Sequence, residues 1–181
     1  MIKCNVTMCG TISRVATVRT NSENKVFTAF AVNCVVPAKS GINKTVEISV
    51  AKDGEDNELK NCALGQRVNV SGTLTFKKRG DNLYFNLSAS EVTLSASNED
   101  SIKGEMHFRG KTGTEKVNDG FEYLWVRFFG FDCKREEWLQ PQTGIEVKGD
   151  MELSVYNDKL NLSCKIAEMS AYVKPPYTPN N

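Results

Sequence analysis

Histidine is nearly absent from this chain of 181 residues, in which His107 is the one example. A single histidine leaves little room for histidine-based catalytic triads or zinc sites. The six cysteines do not compensate, because none of them forms a Cys-x-x-Cys pair. Cys34 and Cys164 lie in apolar segments, so we interpret the cysteines as small buried apolar side chains that stay reduced. The sequence therefore predicts no metal site and no cofactor.

Long apolar runs are also missing. No stretch of about 18 apolar residues occurs, which predicts no membrane-spanning helix and no membrane partner. The first ten residues lack the apolar core of a signal peptide, so we expect a cytoplasmic protein. Gly110-Lys111-Thr112-Gly113 lacks the glycine spacing of a phosphate-binding P-loop. The carboxylates near Asp53 lie in a segment of turn composition without a partner histidine, and we therefore predict that the protein is not an enzyme.

The charge of the chain is nearly balanced in total but uneven along its length. Lys and Arg number 23 against 22 Asp and Glu, a net charge of +1. Residues 1–96 hold 12 Lys and Arg against 8 Asp and Glu, whereas residues 97–181 hold 11 against 14. The basic first half favours a polyanionic partner on that side of the chain.

Apolar and polar residues alternate with period two through five segments of the first half. The segments are 6–18, 26–36, 46–51, 68–77 and 83–94, and this period is typical of half-buried antiparallel strands. Residues 58–64 could form a short helix between the third and fourth strands. Residues 79–82 predict a hairpin turn in which Gly80 supplies a positive φ. This order of elements is that of a five-stranded OB barrel.

The second half repeats part of this pattern. Residues 68–74 and 145–151 both follow V/I-x-V-x-G-x-L/M, which matches Gly72 with Gly149 as kinks in a barrel strand. The hairpin loops 80–83 and 157–160 also correspond, and Gly10 with its neighbours matches Gly104 with its own. We read 121–132 as one long strand, followed by a helical turn over 133–139.

The repeat predicts an all-β chain of two OB-fold-like five-stranded barrels in tandem. The first barrel covers residues 1–96 and the second covers 101–173, with a short Pro-rich tail over 174–181. The second copy is shorter, and whether its barrel is complete or incomplete stays open at this point.

The motifs of both halves resemble those of bacterial and phage single-stranded DNA-binding proteins in a tandem-domain form. Gly10–Arg14, Thr28–Asn33 and Gly65–Leu74 are similar to that family's first, second and fourth strands. Glu122–Gly130 in the second half is similar to the third strand, which carries an exposed aromatic and basic row. The family usually ends in an acidic tip, whereas residues 174–181 of this sequence contain no acidic side chain.

The resemblance implies a binding surface of cations for phosphates and aromatic rings for bases. Strand parity places Phe27 and Tyr84 on the side opposite the core. The alternative for Phe27 is packing at a dimer or interdomain contact, for the basic loop a solvated turn, and for the second-half row burial against its neighbour. The candidate nucleic-acid-binding residues are Arg14, Arg19, Lys25, Phe27, Lys52, Lys77, Lys78, Arg79 and Tyr84 in the first half, and Tyr123, Trp125 and Arg127 in the second.

Two functions follow as expectations. The first is non-sequence-specific binding of single-stranded DNA, or alternatively RNA, by a protein that coats exposed strands in replication or recombination. A homodimer would then present four barrels, and replication or recombination proteins could be further partners. The alternative is an OB-type protein-interaction module in a replication or conjugation complex, without direct nucleic-acid binding.

Overall fold

A computed structural model describes residues 1–80, 82–113, 123–130 and 136–176. The all-β prediction is confirmed, because 67% of the described residues are in strands and one short helix is present among them. The strands form a single mixed sheet of nine. The elements are β1 (Ile2–Thr20), β2 (Val26–Val36), β3 (Lys44–Asp53), α1 (Asn57–Lys60), β4 (Arg67–Arg79), β5 (Asn82–Leu94), β6 (Ser101–Lys111), β7 (Val126–Phe129), β8 (Gly144–Tyr156) and β9 (Lys159–Ala171).

Strands β1 to β5, which we call the first unit, close into a ring. The strand order is β2-β3-β5-β4-β1, and β1 pairs with β2 to complete the circuit. Only β3 and β5 run parallel to each other in this ring. With α1 between β3 and β4, this is the strand order of an OB fold.

The core of the first unit consists of the apolar side chains that alternation assigns to one face of each strand. Phe30, Ile48, Leu74 and Phe85 are all at most 3% exposed. Phe85 also meets the half-buried Phe76 edge to face, with ring centroids 5.5 Å apart. The opposite side chains of the same strands remain free to form an outer surface.

Helix α1 is shorter than the predicted 58–64. It begins after Asp56, whose carboxylate accepts a hydrogen bond from the Leu59 amide at 3.0 Å. The backbone after Asn61 turns away instead of continuing the helix, because the Gly65 amide donates to the Ile12 carbonyl at 2.9 Å. The one turn of helix suffices to bury Leu59 in the core.

Strands β6 to β9, which we call the second unit, repeat the order without a closed ring among the described residues. Their order is β6-β8-β9-β7, with β7 parallel to β9 as β3 is parallel to β5. A counterpart of β2 would fall near 114–122, outside the described residues, so the second five-stranded barrel stays a prediction. The described part of the predicted tail, Lys174 to Pro176, lies outside the strands, and 177–181 lie outside the description.

The long strand predicted over 121–132 is wrong in its extent. The strand covers only Val126–Phe129, and residues 123–125 precede it without strand structure. Among the described residues β7 pairs only with β9, and before it the Trp125 ring lies against Gly113. The predicted helical turn over 133–139 is visible in its described part as a turn at Glu137 and Trp138.

The predicted match of Gly72 with Gly149 is confirmed by strand register. Each glycine follows a register shift in its hairpin, β4–β5 or β8–β9. A Cβ at Gly72 would lie 2.1 Å from the Ser88 carbonyl oxygen, and one at Gly149 would lie 2.0 Å from that of Lys165. Only glycine permits this approach of two backbones, so both hairpins require it at the same place.

The predicted match of Gly10 with Gly104 is wrong. Gly10 pairs with Val68, which lies four residues before Gly72. The residue four positions before Gly149 is Ile145, and Ile145 pairs with Gly110. Gly104 instead pairs with Met151. Gly104 and Gly110 of β6 are both followed by alternating residues, so the sequence alone allows Gly10 to be aligned with either glycine.

The two units share one sheet because β6 pairs antiparallel with the free side of β1. Residues 2–9 of β1 face residues 101–108 of β6, with Asn5 opposite Glu105 near the middle. The connecting segment is held to the first unit by Asp100, whose carboxylate pairs with Arg67 and accepts a hydrogen bond from the Val35 amide at 2.7 Å. Among the described residues, no helix is long and apolar enough to cross a membrane.

Candidate nucleic-acid interface

A groove of about 770 Å³ crosses the outer face of the first unit. Three cationic side chains line it, from Lys3, Arg14 and Arg19, and none of its described lining residues is acidic. Its floor consists of small and neutral side chains from β2, β3, β4 and β5. The groove therefore combines positive charge with room for a polymer chain to lie against the sheet.

The bend of β1 explains why one strand supplies all three cations. Register shifts near Arg14 interrupt the β1–β2 pairing, as β-bulges do where a barrel strand turns. Arg14 then lies opposite Ala31, and Arg19 lies opposite Phe27. Arg14 approaches Glu47 at 3.7 Å, with both side chains more than half exposed. Such exposed pairs contribute little free energy, so Arg14 can exchange its partner for a phosphate.

Phe27 lies in the groove as a half-buried aromatic side chain. Its neighbours Thr28 and Phe30 are buried on the other side of β2, as parity predicts. The Thr28 hydroxyl donates to the Gly54 carbonyl at 2.8 Å, which anchors β2 beside the loop that follows β3. Phe27 thus lines the groove from a strand that is paired on both sides.

The β4–β5 hairpin divides the predicted basic loop between two faces. Lys77 is exposed and lies opposite Tyr84, which is 49% exposed. Arg79 follows on the same face of β4. Lys78 points the other way, and its ammonium donates to the backbone carbonyl of Tyr123 in the second unit at 3.3 Å. Gly80 has a φ of +57°, as the turn prediction requires.

Two further predicted cations lie away from the groove. Lys25 is exposed in the β1–β2 loop and pairs with Glu23 at 2.9 Å. Lys52 shares the face of β3 that also carries the buried Val50, and its ammonium lies 2.5 Å from the Asp56 carboxylate. The hydrogen bond from Lys52 holds the pKa of the Asp56 carboxyl below its ordinary value. Lys52 therefore stabilises the loop before α1 and does not face the groove.

The aromatic and basic row of the second unit keeps the predicted alternation. Tyr123 and Trp125 are 44% and 48% exposed, and Arg127 is exposed as well. Phe128 lies on the inner side, where its ring meets Phe108 at a centroid distance of 4.9 Å. Part of the Trp125 side chain is turned to the protein itself, because it borders an apolar cavity of about 440 Å³.

Sequence reasoning missed Lys3, which the structure places in the groove. Lys3 and Asn5 are exposed while Cys4 and Val6 are buried, so the period-two signal starts at residue 2. The predicted strand began at residue 6, and extending the parity argument would have found this cation. Sequence reasoning also missed Asp150 and Glu152 of β8, although the match of Gly72 with Gly149 already aligns them with Thr73 and Thr75 of β4, as the strand register does.

The described cysteines are free thiols, and all but Cys62 are buried. Burial raises the pKa of Cys4 and of Cys34 to about 12 and that of Cys164 to about 11. Cys133 lies outside the described residues. Within the part of the chain that the structure describes, no group of three or more His, Cys, Asp or Glu side chains is arranged to hold a metal ion.

The ring, the groove and the hairpin define the outer face of an OB-type barrel. Solved structures with a similar fold are single-stranded DNA-binding proteins, as the sequence resemblance predicts. The chain is similar to the single-stranded DNA binding protein from Thermus aquaticus, at 13% identity and a TM-score of 0.51. That match covers 99% of this chain and 97% of the other, and at this identity it establishes a shared fold.

Two further structures are similar at lower TM-scores. A deletion mutant of the Thermus aquaticus protein has 16% identity, a TM-score of 0.49 and coverage of 98% of both chains. The small single-stranded DNA-binding protein from Streptomyces coelicolor has 16% identity and a TM-score of 0.41, with 53% of this chain and 93% of that chain covered. No protein-family model matches the sequence, and no curated protein matches it.

Proposed function

We propose that this protein binds single-stranded DNA without sequence preference, in the groove of the first unit. The observation that carries the proposal is a groove with three cations, an aromatic ring and no acidic lining residue. Cations neutralise the phosphates of a single strand, and the Phe27 ring can stack on a base of any identity. The Thermus aquaticus neighbour, a single-stranded DNA binding protein, supports this reading through its fold.

The floor of the groove supports binding without sequence reading. Ala29 and Ala51 offer no hydrogen-bonding side chain, and the floor's Ser and Thr hydroxyls both donate and accept. A site of this kind holds a backbone and stacks bases without distinguishing their edges. The proposal is accordingly for a binding protein and not for an enzyme.

The proposed path extends beyond the groove at both hairpins. Lys25 lies in the β1–β2 loop, and Lys77, Arg79 and Tyr84 continue the surface at the β4–β5 hairpin, the two loops with which OB folds hold oligonucleotides. Contact between Lys78 and Tyr123 brings the aromatic row of the second unit next to that hairpin. We include Tyr123, Trp125 and Arg127 as a secondary part of the path.

The wider assignment has three parts. The first part is that the second unit is a second OB barrel, whether closed or lacking a strand. The second part is that the chain forms a homodimer, which presents four barrels. The third part is that the protein coats exposed strands in replication or recombination. Each part has its own measurement: a structure that covers 114–122, sedimentation of the free protein, and protection of single strands from nuclease digestion.

The test of the function is a fluorescence titration with oligo-dT at several salt concentrations. We expect binding whose log K falls linearly with log salt, with a slope of about −0.7 for each phosphate contacted. Oligo-U and a duplex of the same length serve as matched competitors, and equal competition by the duplex contradicts single-strand binding. An absence of binding at low salt would favour the protein-interaction module instead.

A further inference from the structure

The outer faces of the two units can be compared position by position, because strand register fixes the correspondence. Gly72 and Gly149 follow equivalent register shifts, and the parallel pairs β3–β5 and β7–β9 extend the alignment across each sheet. Residues directly opposite one another in paired strands share a face of the sheet. Each unit therefore has two corresponding rows of three residues that cross its face.

In the first unit, every residue of these rows is uncharged. The rows lie on the floor of the groove, whose described lining residues include no acidic side chain. Glu47, which lies 3.7 Å from Arg14, is outside that lining. One row is Thr75–Asn86–Ser49, and the other is Thr73–Ser88–Ala51.

In the second unit, both rows carry one cation and one carboxylate. The counterpart rows are Glu152–Ser163–Arg127 and Asp150–Lys165–Phe129. All four charged side chains are exposed. Paired strands lie about 4.8 Å apart, so each carboxylate lies within about 10 Å of the cation in its row. This separation is comparable to the screening length of about 8 Å at physiological salt and shorter than the screening length at low salt. A phosphate attracted by Arg127 or Lys165 is therefore also repelled by a carboxylate.

We propose that Asp150 and Glu152 weaken the hold of the second unit on a single strand, so that the first unit binds the strand tightly and the second binds it loosely. This inference rests on the proposed function. The aromatic row of the second unit can still stack bases, because stacking does not require a net positive surface. The two carboxylates thus give the outer face of the second unit a lower affinity than that of the first unit, although the two faces have the same strand arrangement.

The test replaces both carboxylates by the residues that the first unit carries at the same positions, Asp150→Thr with Glu152→Thr. Binding is measured with oligo-dT of about 10 nucleotides, which fits one OB unit, and of about 40 nucleotides, which can reach both units. We expect the long oligonucleotide to bind about tenfold more tightly to the variant at low salt, with a steeper salt dependence. The short one should bind as it does to the wild-type protein.

The matched control is Glu136→Thr with Glu137→Thr, which removes the same charge from the same unit outside the sheet. An equal gain in the control overturns the proposal, because the effect would then follow net charge. An unchanged affinity of the Asp150 and Glu152 variant for the long oligonucleotide overturns it as well. The pair Asp150→Asn with Glu152→Gln preserves shape and answers the question if the threonine variant does not fold.

The wild-type titration within the same experiment tests the proposed function separately. If the wild-type protein and all variants leave both oligonucleotides unbound, single-strand binding itself is wrong. If the wild-type protein binds both lengths and the variants match it, only the role of Asp150 and Glu152 is wrong. A second readout is the fluorescence emission of Trp125, measured in a Trp138→Phe background. The long oligonucleotide should quench this emission more strongly in the threonine variant than in the protein that keeps Asp150 and Glu152.

Discussion

The described strands of the second unit follow the strand order of the first unit, but the outer faces of the two units differ in their chemistry. The first unit is a closed ring with an uncharged floor and a cationic rim. The second unit is open among its described strands, and its corresponding rows mix carboxylates with cations. The inner faces are constrained by packing, whereas outer side chains can change at little cost to stability. The comparison teaches that two units with the same order of described strands share buried inner faces and glycine kinks while their outer surfaces differ.

The largest effect is expected from the glycine kinks, which test closure. Gly72→Ala should destabilise the protein by about 3 kcal/mol, because its Cβ would meet the Ser88 carbonyl in a ring that cannot open. Gly149→Ala has the same local clash, and if the second unit has no closing strand it should cost less, about 1–2 kcal/mol, because an open sheet can shift. Urea unfolding measures both, with Thr73→Ala and Asp150→Ala as neighbouring controls. An equal or larger cost at Gly149 would show that closure does not distinguish the units.

The second prediction compares the aromatic rings of the two faces. Phe27→Ala should weaken oligo-dT binding by about 2 kcal/mol and leave the salt slope nearly unchanged, because stacking releases no counterions. Trp125→Ala should have a smaller effect, since the second unit holds the strand loosely. Phe27→Tyr keeps the ring and should bind nearly as well as the wild-type protein. A larger loss at Trp125 than at Phe27 would reverse the assignment of the tighter face.

The third prediction concerns the basic hairpin that lies between the two faces. Removing Lys77 or Arg79 should reduce the steepness of the salt dependence by about 0.7 each, the contribution of one single-strand phosphate contact. Lys78→Ala is the internal control, because its ammonium already donates to the Tyr123 carbonyl and should leave the slope unchanged. A slope that responds equally to all three substitutions would mean that the side chains rearrange when the strand binds.

The smallest effect is expected from acid, which tests one carboxylate in each unit. Hydrogen bonds with His107 and Arg109 lower the pKa of Glu146, as Lys52 lowers that of Asp56. A lowered pKa means that each carboxylate stabilises the fold above its ordinary pKa, and that this stability is lost as the pH falls through the lowered value. Melting temperatures between about pH 6 and pH 3 should therefore fall less in Asp56→Asn and Glu146→Gln than in the wild-type protein. Identical profiles in all three would exclude both groups as acid-sensitive sites.

Local sequence patterns were sufficient for the strands of the first unit and for the outward direction of Phe27 and Tyr84. The reason is that period-two alternation is read from neighbouring residues, and each strand of a barrel must bury one face. The match of Gly72 with Gly149 could also be predicted from the sequence, because a Cβ at either position would lie about 2 Å from a backbone carbonyl oxygen, which leaves only glycine. The difference in net charge between residues 1–96 and 97–181 follows from counting the charged residues of the sequence.

Tertiary structure alone decided which strands meet and which side chains share a surface. The pairing of Lys52 with Asp56 before α1, and the hydrogen bond from the Lys78 ammonium to the Tyr123 carbonyl of the second unit, join side chains to distant parts of the chain or to the next element. Gly110, and not Gly104, corresponds to Gly10, because strand register extends over pairs that no single segment contains. The rows that place Asp150 beside Lys165 and Glu152 in line with Arg127 depend on the same long-range pairing. Non-local contacts of this kind depend on how complete strands pair and pack, and for that reason no single segment of the sequence predicts them.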